Sequence, residues 1–243
     1  MNYYTIHIND SGAIEESETK NDNGQKTYIF EMYDDNEFNS LNDILHYTKD
    51  FVLNKKALKL FESSNIVPYE KYSATVIRKE KKFEIFKISK SYEYYFLSLN
   101  QSKILHCYNW INFALSIVEI YQGDNKLSNL ASHEELLAYI EENKVLSGKI
   151  NEIYSTNISE KEKKDRSAEF KTFTFVSKKI VFNKNFDHSI DVFEIPLYSW
   201  GTYVSERFMN LLLENNINDV GFAKSTDEIG KVWKPYFPLI EFE

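Results

Sequence analysis

The chain has 243 residues, 29 basic and 37 acidic side chains, and a formal net charge of −8. An apolar fraction of 42% beside 27% charged residues is that of a folded globular chain. Seven Gly, four Pro and a single Cys exclude a collagen-like chain, a Gly-rich linker, a Gly-loop nucleotide binder and a disulfide scaffold. The acidic balance repels phosphate backbones unless a local basic stripe overcomes it, and it suits solubility or a basic protein partner. The one basic run, Arg78-Lys79-Glu80-Lys81-Lys82, reads as a hairpin turn. The aromatic fraction of 16% follows from codon usage in a genome rich in A and T rather than from a stacking role.

Tyr3 to Ile8 reads as a strand, and the polar stretch Asp10 to Lys26 as a loop. Thr27 to Tyr33 is a second strand, broken by Asp34-Asp35-Asn36-Glu37. Ser40 is placed to cap a helix carrying Leu41, Ile44 and Leu45, with Asp43 at its third position. Phe51-Val52-Leu53 is extended and runs into Asn54, an N-cap for a helix with Ala57, Leu60 and Phe61 on one face. Asn65 is expected to close that helix in the left-handed conformation, and Pro68 prevents its continuation.

Tyr72 to Ile77 and Phe83 to Ile88 flank the Arg78–Lys82 turn as a hairpin, and Tyr94 to Leu99 is a further strand. Ile104 to Tyr121 reads as two strands, and its most apolar part, Trp110 to Tyr121, is too short and, with Asn112, Ser116 and Glu119, too polar to span a bilayer. Ser132 with Glu135 forms a capping box ahead of an apolar face of Leu136, Leu137 and Ile140. Ile158 to Ala168 is a solvated loop or an exposed helical turn. Phe173, Phe175 and Ile180 to Phe182 have strand character, as does Asp191 to Ile195. Tyr203-Val204 is extended, Ser205 caps a helix carrying Phe208, Leu211 and Leu212, Asn216 ends it, and Val220-Gly221-Phe222 is a strand. The chain closes through Trp233, Pro235, Phe237 and Pro238.

Two of these segments align without a gap. Leu53-Asn54-Lys55-Lys56-Ala57 lies against Val204-Ser205-Glu206-Arg207-Phe208, and Leu60, Phe61 and Asn65-Ile66 meet Leu211, Leu212 and Asn216-Ile217. Any capped amphipathic helix shares such features, and two copies make no solenoid. At most they are two similar strand–helix–strand units within one α+β body spanning residues 1–243, its sheet mostly antiparallel and its helices few.

No constellation carries an evident chemistry. The five His, at 7, 46, 106, 133 and 188, lack a His-Glu-x-x-His or Cys-x-x-Cys spacing, and His133 is better read as part of the capped helix start. Asp187-His188 with Asp191 has the makings of a carboxylate–imidazole pair, but no nucleophile is visible and a solvated turn is the better reading. His106 and Cys107 are adjacent, so on a strand they point to opposite faces, and Cys107 is read as structural. Asp34, Asp35 and Glu37 lack the order of a calcium loop, and Tyr92, Tyr94 and Tyr95 are assigned to the core in preference to a contact patch. The expectation is therefore no catalytic, cofactor-binding or metal site. With Cys107 alone, no intramolecular disulfide forms. The start Met1-Asn2-Tyr3-Tyr4 has neither the basic nor the apolar region of an export signal, so a cytoplasmic location is expected.

Met1-Asn2-Tyr3-Tyr4, then Tyr94-Tyr95-Phe96-Leu97-Ser98-Leu99-Asn100 with His106-Cys107-Tyr108-Asn109-Trp110, then Asp191-Val192-Phe193-Glu194-Ile195, fall in a distinctive order. With the closing Tyr203-Val204-Ser205-Glu206-Arg207-Phe208, Leu211-Leu212, Ile217 and Val220-Gly221-Phe222, they make the chain resemble a family of bacterial immunity proteins from polymorphic-toxin systems. Asp219-Val220 and His106 depart from that family's usual pattern. The resemblance brings no catalytic residues. It implies a cytoplasmic antitoxin that neutralises a cognate toxin by stoichiometric binding, with no nucleic-acid or membrane partner. The competing reading is an enzyme with a site near Asp187, His188 or Cys107.

Overall fold

The computed structural model describes residues 2–8, 14–22, 25–34, 42–47, 50–82, 85–99, 109–195, 198, 201–217, 220–224 and 238–243. Within them the fold is α+β, with four helices and three mostly antiparallel sheets. The chain divides into two compact units interleaved in sequence: Met1–His106, Asp187–Pro196 and Trp200–Lys231 form the first, and Cys107–Phe186, Leu197–Ser199 and Val232–Glu243 the second. A division that crosses the chain several times has no single linker, so no composition shift marks it.

The first unit holds two sheets. Strands β1 (Tyr3–Ile8), β2 (Ile14–Asp22), β3 (Gln25–Asp34), β4 (Ile44–Tyr47), β5 (Asp50–Leu53), β6 (Tyr69–Lys82) and β7 (Ile85–Leu99) come first in the chain, with helix α1 (Lys55–Glu62) after β5. Six of them form one sheet in the order β2-β3-β6-β7-β5-β4, in which only β3 and β6 run parallel. Alternation puts Tyr28, Phe30 and Met32 of β3, Ala74 and Val76 of β6, and Tyr94 and Phe96 of β7 on one buried face. The sheet curls around that core. Tyr47 of β4 lies 5.0 Å from Phe30 of β3, ring to ring, and its hydroxyl donates to Glu16 of β2 at 3.1 Å.

Several sequence expectations need correction here. The stretch read as a loop contains β2, because an edge strand stays polar and charged in sequence to avoid pairing with other chains. The segment read as a Ser40-capped helix contains β4. Ile44 and Leu45 are both buried, so the strand is apolar on both faces and its sequence mimics helical spacing. Arg78–Lys82 is no turn: the ladder continues to Lys82 opposite Ile85, with a bulge at Arg78 and Lys79. Ser40, Leu41, Asp35, Glu37 and Phe83 lie outside the described residues.

The other sheet of this unit has the order β11-β12-β1-β13, from β11 (Val192–Glu194), β12 (Thr202–Ser205), β1 and β13 (Val220–Ala223). Helix α4 (Glu206–Glu214) follows β12. Both aligned segments are therefore helical. Ala57 and Phe208 are 0% exposed, as are Phe61 and Leu212, while Leu60 and Leu211 are both half-buried. The two helices meet edge to face through Phe61 and Phe208, 4.9 Å between ring centroids.

In the second unit, β8 (Ile117–Gln122), β9 (Asn125–Asn129), β10 (Phe173–Phe182) and β14 (Leu239–Phe242) form a sheet in the order β14-β10-β8-β9. Gly123, at φ 61°, sits in the β8–β9 turn, where the left-handed conformation favours glycine. Phe182, Phe186 and Phe242 stack in its core at 4.5–5.5 Å. Helix α2 (His133–Ser155) docks on β10 through Asn143, whose side chain donates to Phe173 O at 2.8 Å and accepts its N–H at 2.7 Å, as a neighbouring strand would. Helix α3 (Glu160–Ser167) buries no residue, as its run of charges requires.

Three details differ from expectation in this unit. Ser132 caps α2, but Glu135 reaches the N–H of Ala131 and not that of Ser132. Leu137 is 43% exposed and leaves the apolar face to Leu136. Of the stretch read as two strands, residues 104–108 lie outside the described residues and residues 112–116 form a turn ahead of β8, where Ser116 bonds back to Asn112 O through both its N–H and its hydroxyl.

Candidate functional site

Asp191, singled out above, is 3% exposed. Its carboxylate accepts from Ser205 Oγ at 2.6 Å, from Arg207 Nε at 3.0 Å and Nη2 at 2.9 Å, and from the Asn65 N–H at 3.1 Å. Its backbone C=O accepts the Ser205 N–H at 2.8 Å. Ser205 in turn caps α4, accepting the Phe208 N–H at 3.1 Å. Tyr3 of β1 donates its hydroxyl to Ile190 O at 3.0 Å, and burial together with the Asp191 charge pushes that phenol up to about 12.

The same arrangement is built a second time around Asp43. Its backbone C=O accepts the Asn54 N–H at 3.0 Å, and its carboxylate accepts from Asn54 Nδ2 at 2.5 Å and Lys56 Nζ at 3.1 Å. Asn54 caps α1, accepting the Ala57 N–H at 2.9 Å. Tyr94 of β7 donates to Asn42 O, the carbonyl just before Asp43, at 2.6 Å, and burial pushes its phenol up. The ladders agree: Ile44 pairs Leu53 and Val192 pairs Val204, while Leu53 pairs Tyr95 and Val204 pairs Tyr4. Along the chain the order is Tyr3, Asp43 with α1, Tyr94, Asp191 with α4. Each tyrosine strand pairs with the hairpin whose aspartate it adjoins, β7 with that of Asp43 and β1 with that of Asp191.

This duplication explains why the sequence alignment stopped at the helices. The matching aspartates lie 11 residues before Asn54 and 14 before Ser205, so the hairpin loops differ in length and an ungapped comparison passes over them. Asp-Ile-Leu at 43–45 and Asp-Val-Phe at 191–193, each ahead of a cap and a cation two residues further on, were the available signal. The duplicates also differ at the helix ends. Asn216, read as the stop of α4, is left-handed, with φ 50°. Asn65 is not, because its N–H and C=O are both held by Asp191, and α1 ends at Ser63 instead.

Asp191, Arg207, the three residues that follow α1 and one side of α4 border a cleft of about 690 Å³. Ser63, Ser64 and Asn65 form one wall, and Asn210, Leu211 and Glu214 the other. The hydroxyls of Ser63 and Ser64 donate to Leu60 O at 2.9 and 2.8 Å.

Asp187 and His188 lie on an exposed turn, where Asp187 accepts the Ser189 N–H at 2.8 Å and hydrogen bonds from Ser189 hold its carboxyl below the usual range. The bonds of Asp191 go to Ser205, Arg207 and Asn65, the pattern of a structural clamp. His106 and Cys107 lie outside the described residues. His133 Nδ1 is 3.0 Å from the Tyr198 hydroxyl, and burial lowers the pKa of His133. His7 Nε2 is 3.0 Å from Thr5 Oγ1, and burial lowers its pKa too. Of the three tyrosines, Tyr94 is buried in the core face, Tyr92 packs against it, and Tyr95 points away and donates to Glu93. Lys79 of the basic run pairs with Glu31 across β3 and β6. Among the described residues no group of three or more His, Cys, Asp or Glu is placed to hold a metal ion, and no helix is long and apolar enough to cross a membrane. No family model, curated protein or solved structure matches the chain.

Proposed function

We propose that this chain is a bacterial immunity protein that binds one cognate toxin domain in the cytoplasm and blocks it by stoichiometric capture, without catalysis. The observation that carries the reading is the resemblance of Tyr203-Val204-Ser205-Glu206-Arg207-Phe208, with its following Leu211-Leu212 and Val220-Gly221-Phe222, to the closing segment of an immunity-protein family. The chemistry of that segment supports it. Ser205 and Arg207 are engaged in clamping Asp191, so these residues act on the fold. The charge of −8 favours a basic partner and quickens encounter with it.

Co-expression with the toxin domain encoded immediately upstream tests the proposal. Rescue of growth, with a complex that survives a sizing column, is the expected result. Two folded proteins that neither rescue growth nor co-elute would reject it for that pair. Asp187→Ala, His188→Ala and Cys107→Ala are expected to protect as well as the wild type. Loss of protection in a folded His188→Ala or Asp187→Ala variant that still binds the toxin would favour an enzyme instead.

A further inference from the structure

Helix α2 has an inward side, marked by Leu136, Tyr139 and Asn143. Leu136 is buried, the Tyr139 ring lies 4.7 Å from that of Phe173, and Asn143 bonds the backbone of Phe173. Opposite them, at alternating steps of four and three residues, stand Glu134, Ala138, Glu141, Val145, Gly148 and Glu152. All six are exposed, Val145 by 58%, and Leu137 on the same side by 43%. This outward face carries three carboxylates and no cation. Of the lysines that flank it, Lys144 is paired with Glu141 and Lys149 lies over the Phe170 ring. Gly148 is the residue for which the fold does not account. Glycine inside a helix weakens it relative to alanine. Here φ is not positive, and a Cβ would meet nothing within 4 Å. Within the chain alanine would therefore serve better. What a bare backbone on an exposed helix face does permit is the close approach of another backbone.

We propose that the outward face of α2 is a docking surface for a basic helix of a protein partner. The partner's backbone crosses at Gly148, its apolar side chains meet Leu137, Ala138 and Val145, and its Lys or Arg residues pair with Glu141 and Glu152. Steps of four and three residues are the spacing at which two helices interlock, and a small residue at the crossing brings their axes closer. The exposed carboxylates select the basic partner. A second copy of the chain is disfavoured, because two such faces would set glutamate against glutamate, and the same charge repels nucleic acid. That the helix belongs to a toxin rests on the immunity reading; that the face takes a basic helix does not.

The test is a titration of the full-length protein with an amphipathic peptide of Ala, Leu and Lys, about 18 residues long so that it is helical, followed by backbone amide resonances. Saturable shifts confined to α2 and centred on Leu137, Val145 and Gly148 are expected. The same peptide with Glu in place of Lys should leave these resonances unmoved. Gly148→Leu fills the crossing point and Glu141→Lys reverses the charge, and each should weaken peptide binding about tenfold or more. Leucine is a good helix former and the Cβ position is open, so Gly148→Leu should unfold no earlier in urea than the wild type. Its lost binding is then not lost folding. No saturable shift from the basic peptide, or equal shifts from the acidic one, would overturn the inference. So would self-association of the protein alone on a sizing column that Gly148→Leu abolishes. With the upstream toxin domain, the same two variants should shorten the lifetime of the complex about tenfold or more. A wild-type protein that binds the basic peptide but no toxin supports the surface and rejects the immunity reading for that pair. A toxin complex unaltered in both variants rejects the surface as its contact and leaves the immunity reading standing.

Discussion

Asn54 and Ser205 do a task that most N-caps do not. Each accepts a helix N–H and, with the same side chain, donates to a carboxylate, so each must carry both a donor and an acceptor. Aspartate is ordinarily as good a cap as Asn or Ser. Here it would set an acceptor-only carboxylate against Asp43 or Asp191. Asn54→Asp and Ser205→Asp should each destabilise the protein by about 1–3 kcal/mol in urea unfolding, and unchanged midpoints would contradict the clamp. Glu119 gives a second residue-level prediction. It is 5% exposed, and hydrogen bonds from Lys126, then Lys178, hold its carboxyl at about 2 against an ordinary 4.5. Because the folded value is depressed, its contribution to stability is full above the unfolded pKa and is lost as pH falls from about 4.5 towards 2. Glu119→Gln should therefore narrow its stability gap from wild type as pH falls through that window. A gap constant with pH would show that the ion network has no such role.

At the scale of elements, α1 and α4 are equivalent parts held in one contact. Phe61→Ala and Phe208→Ala should each cost about 3–5 kcal/mol. Because the rings touch, the double variant should cost less than the sum of the single ones. Full additivity, measured by chemical unfolding of all three variants, would contradict the packing. Both helices were legible because cap, apolar face and stop are local features, readable without knowing the partner. The strands around them were less so. β2 looks like a loop because an edge strand is polar, and β4 looks like a helix because both of its faces are buried, so neither shows a period of two. The clamp itself was half legible. Asp191 stood out within its strand, but its counterpart Asp43 was hidden by unequal hairpin loops and by a competing cap assignment at Ser40. The cleft was not legible at all, because its lining comes from three separate stretches, 63–65, Asp191 and 207–214, that only the fold brings together.

For the whole molecule, the charge of −8 should act on encounter more than on the lifetime of a complex. Association with the toxin should slow as salt rises, since the screening length falls from about 10 Å at 0.1 M to about 3 Å at 1 M, while dissociation changes less. Stopped-flow mixing across that salt range checks this, and a salt-independent association rate would remove the electrostatic part of the account. The central claim is capture without turnover, and stoichiometry tests it most directly. Purified protein is titrated against a fixed amount of the upstream toxin domain, and residual toxin activity is measured at each ratio. Activity should fall linearly and reach its floor at one protein per toxin, with prolonged incubation changing nothing. Progressive loss of activity at a small fraction of one equivalent would mean that each molecule acts repeatedly, and that the protein is an enzyme.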